Sequence, residues 1–373
     1  MQKEARTAIR RPVSSPGETG RMPVTTEQRA SDRLGMSSPR QRLPRRRIVA
    51  IAAGIVTAGM LVTITWPQAF GLHRTFGIAQ VIAFRPVLVI GFAVMGVLVA
   101  GTALLMRPRA RRINALIVAG VLLIAALAQS AVLGSRGWGS AFAPPRGAAM
   151  PVDGDLIVLS WNAQGGATSA REIAELALTV RPDVIALPET DAVAADEVRA
   201  ILAEHGIGMT ASTAGDWIPT SVLISTDLGS YRLDASRGST PGLPSGVWLP
   251  EAEGSPPIVV AHPMPPLPAS MNSWRDGLNW VAEQCRTVGD DVIVAGDLNA
   301  TVDHLGVVPG CSDAAAVASA AASGTWPSTT PQALASPIDH VLVGADWTVR
   351  GVQVIDTPGT GSDHRPIVAV LGS

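Results

Sequence analysis

Three runs of the chain are too apolar to fold as surface helices of a soluble domain. Residues 48–66 are nineteen residues without a charge, and residues 86–106 and 113–133 repeat the pattern. A helix rises about 1.5 Å per residue, so each run matches the roughly 30 Å hydrocarbon core of a bilayer. The third run carries only Asn114, Gln129 and Ser130 as polar residues. A helix packed on a soluble core keeps a polar face, and none of these has one. Three membrane-spanning helices over residues 48–133 are therefore expected.

The net charge of −1 conceals a segregation. Residues 1–47 carry +8 and lack apolar periodicity, which predicts a disordered basic tail. Residues 48–150 have eight arginines and no acid, whereas residues 151–373 carry −17. Arginine marks the cytoplasmic side of membrane helices. The tail is basic, and so is the short loop with Arg107, Arg109, Arg111 and Arg112; both are expected in the cytoplasm. Three crossings then place the rest of the chain outside, in a multi-pass protein of the cell membrane. Residues 134–155, with Pro144, Pro145 and several Gly and Ala, read as a linker.

The acidic part argues against a long nucleic acid, which proteins grip through a basic face. It is compatible with a small phosphorylated substrate or a lipid held through a divalent cation. Its two cysteines, Cys285 and Cys311, lie in no C-x-x-C pair, so a zinc site is not indicated. In an extracytoplasmic domain they either form a disulfide or stay as two buried thiols.

From residue 156 the texture is α/β. Strands are expected at 156–160, 183–187, 221–225, 258–261, 292–295, 337–343 and 366–371, and helices at 170–179, 196–205 and 274–287. Each apolar strand is closed by polar residues, namely Asn162, Glu189, His262, Asp297 with Asn299, Asp339 with His340, and Asp363 with His364. Singly, each could be a turn former or a helix cap. Together they suit phosphate-ester hydrolysis, which needs a cation on the phosphoryl oxygens, an activated water and stabilised charge on the leaving oxygen. Magnesium is served by one or two carboxylates, and a His held by an Asp works near neutral pH.

The ordered set Trp161-Asn162, Pro188-Glu189-Thr190, Ala261-His262-Pro263, Gly296-Asp297-Leu298-Asn299, Ile338-Asp339-His340 and Ser362-Asp363-His364-Arg365-Pro366 resembles the endonuclease/exonuclease/phosphatase superfamily. That resemblance implies a four-layer α/β sandwich over residues 156–373, two packed mixed sheets flanked by helices. It implies Mg²⁺, with Mn²⁺ as the alternative, on Glu189, with Asn162 and Asp363 beside it. Asp297 would orient or deprotonate water, and Asn299 and Asn162 would bind phosphate. His364 would hydrogen-bond the phosphoryl group, oriented by Asp339, and His262 would assist the leaving group. His340 is expected to be a neighbour only. The sequence departs from the family pattern at Pro188, where a Gln is usual, and residues 209–254 hold no clear phosphate-binding Tyr or Arg; Arg237 is the candidate by elimination.

Three spans followed by an outward-facing domain resemble the teicoplanin-resistance-associated membrane proteins of actinobacteria. That layout implies a membrane-anchored phosphoesterase acting on a lipid-linked pyrophosphate of cell-wall synthesis, tethered so that the headgroup is concentrated at its site. An extracytoplasmic nuclease or nucleotide phosphodiesterase is the second reading, and a non-catalytic membrane sensor or scaffold the third. Residues 263–268, with their prolines, Met264 and Leu267, are expected to form a rigid loop; an apolar lip beside His262 is the alternative.

Overall fold

The computed structural model describes residues 45–139 and 154–373. Most of the expected basic tail and of the expected linker therefore lies outside the described residues. The chain divides into a short unit, Met1–Gly54, and a large one, Ile55–Ser373.

Helix α1 (Arg45–Thr65) takes in the first apolar run except Trp66, and three residues assigned to the tail. A short helix α2 (Ile78–Ala83) follows, then α3 (Arg85–Leu105) and α4 (Arg109–Arg136), which pack side by side. Among the described residues, α3 and α4 are the helices long and apolar enough to cross a membrane. They expose Val97, Leu98, Ile117 and Leu127, a surface unsuited to water. Helix α4 runs three residues past Leu133, so residues 134–136 are helical rather than linker. The next three residues lie against 319–323, with Gly139 N–H donating to the Ser319 carbonyl and Ala322 N–H to that of Gly137.

The remaining strands are β1 (Leu156–Ser160), β2 (Val184–Leu187), β3 (Met209–Ala214), β4 (Thr220–Ser225), β5 (Tyr231–Leu233) and β6 (Gly246–Pro250), then β7 (Ile258–Val260), β8 (Ile293–Asp297), β9 (Ser312–Asp313), β10 (Asp339–Val343), β11 (Thr348–Val354) and β12 (Ile367–Gly372). They form two six-stranded mixed sheets, β11-β12-β1-β2-β4-β3 and β5-β6-β7-β8-β10-β9. Side chains alternate across a strand, and the burial follows that period. Leu156 and Val158 of β1 enter the core between the sheets, with Ile258, Val260, Ile293 and Ala295 of the second sheet. Ile157 and Leu159 face the other way, against α5 (Ala170–Val180) and α6 (Ala192–Glu204). Val292 and Val294 likewise meet α7 (Met271–Thr287) through Trp274, Leu278 and Val281. Helix, sheet, sheet, helix are the four layers.

Local sequence explains the helix starts. Ser169 and Glu172 form a reciprocal capping box at α5, and Asp191 caps α6 by accepting from Ala194 N–H. Cys285 and Cys311 form a disulfide that ties α7 to the loop before β9.

Candidate active site

The strand directions bring the polar residues together. β1 and β2 are parallel neighbours, so Asn162 and Glu189 leave the same sheet edge. β7 and β8 are parallel in the other sheet and deliver His262 and Asp297 in the same way. β10 runs antiparallel to β8, so its first residue, Asp339, arrives where β8 ends. β12 runs antiparallel to β1, which places Asp363 and His364, just before it, at the end of β1. Since the sheets are stacked, the two edges form one rim.

Contacts across the rim are direct. Asn162 Nδ2 donates to Glu189 Oε1 at 3.0 Å and to Asp297 Oδ2 at 3.1 Å, bridging the sheets. His262 Nε2 is 3.7 Å from both of those carboxylate oxygens. His364 Nε2 lies 3.7 Å from Asp297 Oδ2, while its Nδ1 is 2.9 Å from Asp339 Oδ2. Asp363 Oδ1 is 3.9 Å from His364 Nε2. Asn299 donates its backbone N–H to Asp297 Oδ1 at 2.8 Å and its side-chain amide to the Pro263 carbonyl at 3.0 Å. All eight expected site residues thus converge. His340 turns away: it bonds Asp313 and the Ala300 carbonyl. Arg237 does not line the cleft; its guanidinium reaches Thr287 Oγ1 at 3.1 Å, so the structure gives it no phosphate role.

The backbone is shaped for this. Glu189 and Asn299 both sit in the left-handed region, with φ of 56° and 48°, a conformation that non-glycine residues adopt at a cost. Gly296 has φ of 145°, and a Cβ there would lie 2.0 Å from the Ala261 carbonyl oxygen. Only glycine lets β8 pass so near the end of β7.

The charges are graded. Burial pushes the Asp297 carboxyl up. Burial also works against protonated His364, but the Asp339 and Asp297 carboxylates outweigh it, so its affinity for a proton rises. Burial, with repulsion from His364, lowers His262 to about 3 and keeps it neutral. The donors suit a hard divalent cation. Two carboxylate oxygens, from Glu189 and Asp297, share one amide donor, and Asp339 Oδ1 is buried without a hydrogen-bond partner. Ligand atoms of Asp297, Asp339 and His364 also lie within 4.8 Å of one another. His364, holding its proton between two carboxylates, is a poor ligand in that set.

Several functional side chains carry no sequence signal of the strand-end kind. Trp326 Nε1 donates to Asp363 Oδ2 at 2.8 Å and fixes that carboxylate. Gln164 Oε1 accepts the Asp363 N–H at 2.9 Å. Ser362 Oγ accepts from His364 N–H and donates to the Asn162 carbonyl, stitching two motifs together. Arg365 is buried on Asp356 and the carbonyls of Pro327, Ser328 and Thr330, holding the loop that carries Trp326.

The rim opens into a cleft of about 590 Å³. Glu189, His262, Asp297, Asn299, Asp363 and His364 line one end, and the remaining wall is largely apolar. Part of that wall comes from Gln80, Ala83 and Phe84, which lead into α3. Met264, Pro265, Pro266 and Leu267, after His262, line the cleft, as the alternative of an apolar lip expects.

With this geometry in place, the sequence comparisons identify the class. The Endonuclease/Exonuclease/phosphatase family profile matches residues 159–364, and the chain belongs to that family. It is a metal-dependent hydrolase of phosphate esters. Comparison with curated proteins finds no match. Among solved structures it is similar to a humanized D. rerio TDP2, at 17% identity over 59% of this chain and 99% of that one, with a TM-score of 0.46. It is also similar to the Bacteroides thetaiotaomicron mannosyl-6-phosphatase, at 16% identity over 58% and 100% of the two chains, with a TM-score of 0.46. A Beutenbergia cavernae endonuclease/exonuclease/phosphatase gives 18% identity, 59% and 72% coverage, and a TM-score of 0.42.

Proposed function

We infer that this protein is a membrane-anchored, extracytoplasmic, Mg²⁺-dependent phosphoesterase that hydrolyses the pyrophosphate of a lipid-linked intermediate of cell-wall synthesis. The observation that carries the chemistry is the Asn162 bridge between Glu189 and Asp297, which joins the two sheets at one acidic, histidine-flanked rim.

A cation held by Glu189, with Asn162 and Asp363 beside it, would when bound neutralise charge on the phosphoryl oxygens. Asp297, with one oxygen fixed by the Asn299 N–H, orients the attacking water and takes its proton. His364 donates from Nε2 to a phosphoryl oxygen while Asp339 holds Nδ1. Asn299 keeps one amide N–H on Pro263 and offers the other to phosphate. Neutral His262 donates a hydrogen bond to the leaving oxygen.

Membrane placement is supported by the way the helices meet the domain. Thr65 at the end of α1, Arg85 at the start of α3 and Arg136 at the end of α4 gather at one place. Arg107, Arg109, Arg111 and Arg112 are at the far end of α3 and α4, about 30 Å away by helix rise. The domain thus packs on the end opposite the arginine-rich loop, the outer end by the positive-inside rule. Lipid pyrophosphate as substrate agrees with the anchor, with the apolar wall and with the resemblance to the teicoplanin-resistance-associated membrane proteins. The −17 charge of residues 151–373 disfavours a duplex nucleic acid.

The test is phosphate release from undecaprenyl pyrophosphate in detergent, with and without Mg²⁺. Wild type should release phosphate only with the cation, and Glu189→Ala should lose about 10²-fold or more. Equal rates in the two proteins would overturn the reading.

A further inference from the structure

The cleft is walled by two parts of the chain with different relations to the membrane. One wall belongs to the catalytic domain, in Trp217, Met264, Leu267 and Trp326. The other is the segment entering α3, in Ala83 and Phe84. These walls are joined by contact rather than by chance proximity. Phe84 and Trp326 rings are 6.0 Å apart at 51°, Gln80 donates to the Pro266 carbonyl, and His304 bonds the Ala79 carbonyl at 2.9 Å. Trp217 and Leu267, at 68% and 57% exposed, stand on this apolar side as large hydrophobic groups offered to something outside. Nearby in sequence, Trp66, Phe70 and Phe76 are exposed in the same connecting segment, as aromatic residues are at a bilayer interface.

We propose that this apolar side is a lane for a single hydrocarbon chain of the substrate, running from the phosphate at Glu189 and His364 past Phe84 and Leu267 towards α3. The occupant follows from continuity. The lane shares one cleft with the catalytic groups and ends where a membrane helix begins, so a chain carried on the leaving phosphate passes from site to bilayer without crossing water. Phe84, Trp217 and Leu267 are then specificity-determining residues, and the membrane segment supplies part of the binding site as well as the anchor. This rests on the phosphoesterase reading of the rim.

The experiment uses the full chain in phosphatidylcholine nanodiscs with Mg²⁺, reading phosphate release from the soluble series from ethyl to octyl diphosphate. Burial of each methylene in the lane should raise kcat/KM about two- to fourfold. Leu267→Asp and Trp217→Asp, both at exposed positions where folding is not at stake, should lower the octyl-to-ethyl ratio at least about tenfold. A general catalytic defect would lower both esters and leave the ratio alone. In parallel, octyl diphosphate with a terminal diazirine is photolysed on the same protein, with and without excess ethyl diphosphate. Adducts at Phe84, Trp217, Met264 or Leu267 that persist without turnover support the lane. Failure to hydrolyse either ester would overturn the catalytic reading alone, because the adducts still report the lane. A kcat/KM independent of chain length, or adducts confined to residues 85–136 beyond Phe84, would overturn the lane.

Discussion

Asp297 and Asp339 stand directly opposite each other across the β8–β10 ladder, both at the active-site end. Like charges so placed destabilise a sheet, and here His364 sits against both, 3.7 Å from the first and 2.9 Å from the second. The imidazolium therefore stabilises the pair while being oriented by it. Replacing Asp339 with Asn keeps the shape and removes the charge that holds His364. We expect kcat to fall about 10²- to 10⁴-fold with the fold intact, as for other histidines deprived of an orienting carboxylate. Rates on a soluble phosphate ester beside an unchanged Tm check it; a fall below about threefold would remove Asp339 from the machinery.

Gly296→Ala should be severely destabilising. The added methyl meets the Ala261 carbonyl at 2.0 Å, and the φ of 145° is itself unfavourable for alanine. Backbone cannot yield there as a side chain could, so a loss of about 3 kcal/mol or more is expected. Chemical denaturation measures it.

A second charge cluster sits away from the chemistry. Asp303, buried in the helix just after the catalytic turn, receives Arg85 at 2.6 Å, Arg136, and Gln68 Nε2 at 2.9 Å. Burial would raise its carboxyl, but the two guanidinium groups outweigh that and hold it well below the usual carboxylate range. The sign follows: a depressed carboxylate contributes stability above its unfolded value of about 3.9, and loses it as pH falls through the folded one. Tm should therefore drop as pH is lowered below about 4. Asp303→Asn should remove that part of the dependence and cost about 3–5 kcal/mol near neutrality, since Arg85 stays buried without its counterion. A pH-independent difference between the two proteins down to pH 2 would contradict this.

Cation binding should be visible without turnover. A site made of Glu189 and its neighbours binds the folded state alone, so Mg²⁺ at about 100 times its Kd adds about 2.7 kcal/mol. Glu189→Gln should abolish the Tm rise, which thermal unfolding with EDTA and with Mg²⁺ reads directly.

The residues of the site are legible in the sequence because each closes a short apolar, largely β-branched run, and such a run reads as a buried strand. Asn162, Glu189, His262 and Asp297 are found that way, whereas the four-layer order of elements comes from the family resemblance. Trp326, Trp217 and Gln164 are not, since they lie in loops whose course depends on tertiary contacts and no periodicity marks them. Phe84 is hidden differently: it lies in the loop just before an apolar run, and nothing in the sequence marks it as facing the cleft. Arg237 shows the converse error, where a missing residue type was filled by elimination although that arginine faces Thr287. The start expected for the linker, residue 134, also falls early, because α4 continues to Arg136.

The clamp of Arg85 and Arg136 on Asp303 has a consequence for reach. A head on a loose leash would sweep a hemisphere and sample molecules at any height. This one is bolted to its pedestal on two sides, so its mouth stays at one altitude and one tilt above the helices. Under the membrane placement proposed above, the molecules it serves would be those that present their phosphate at that level.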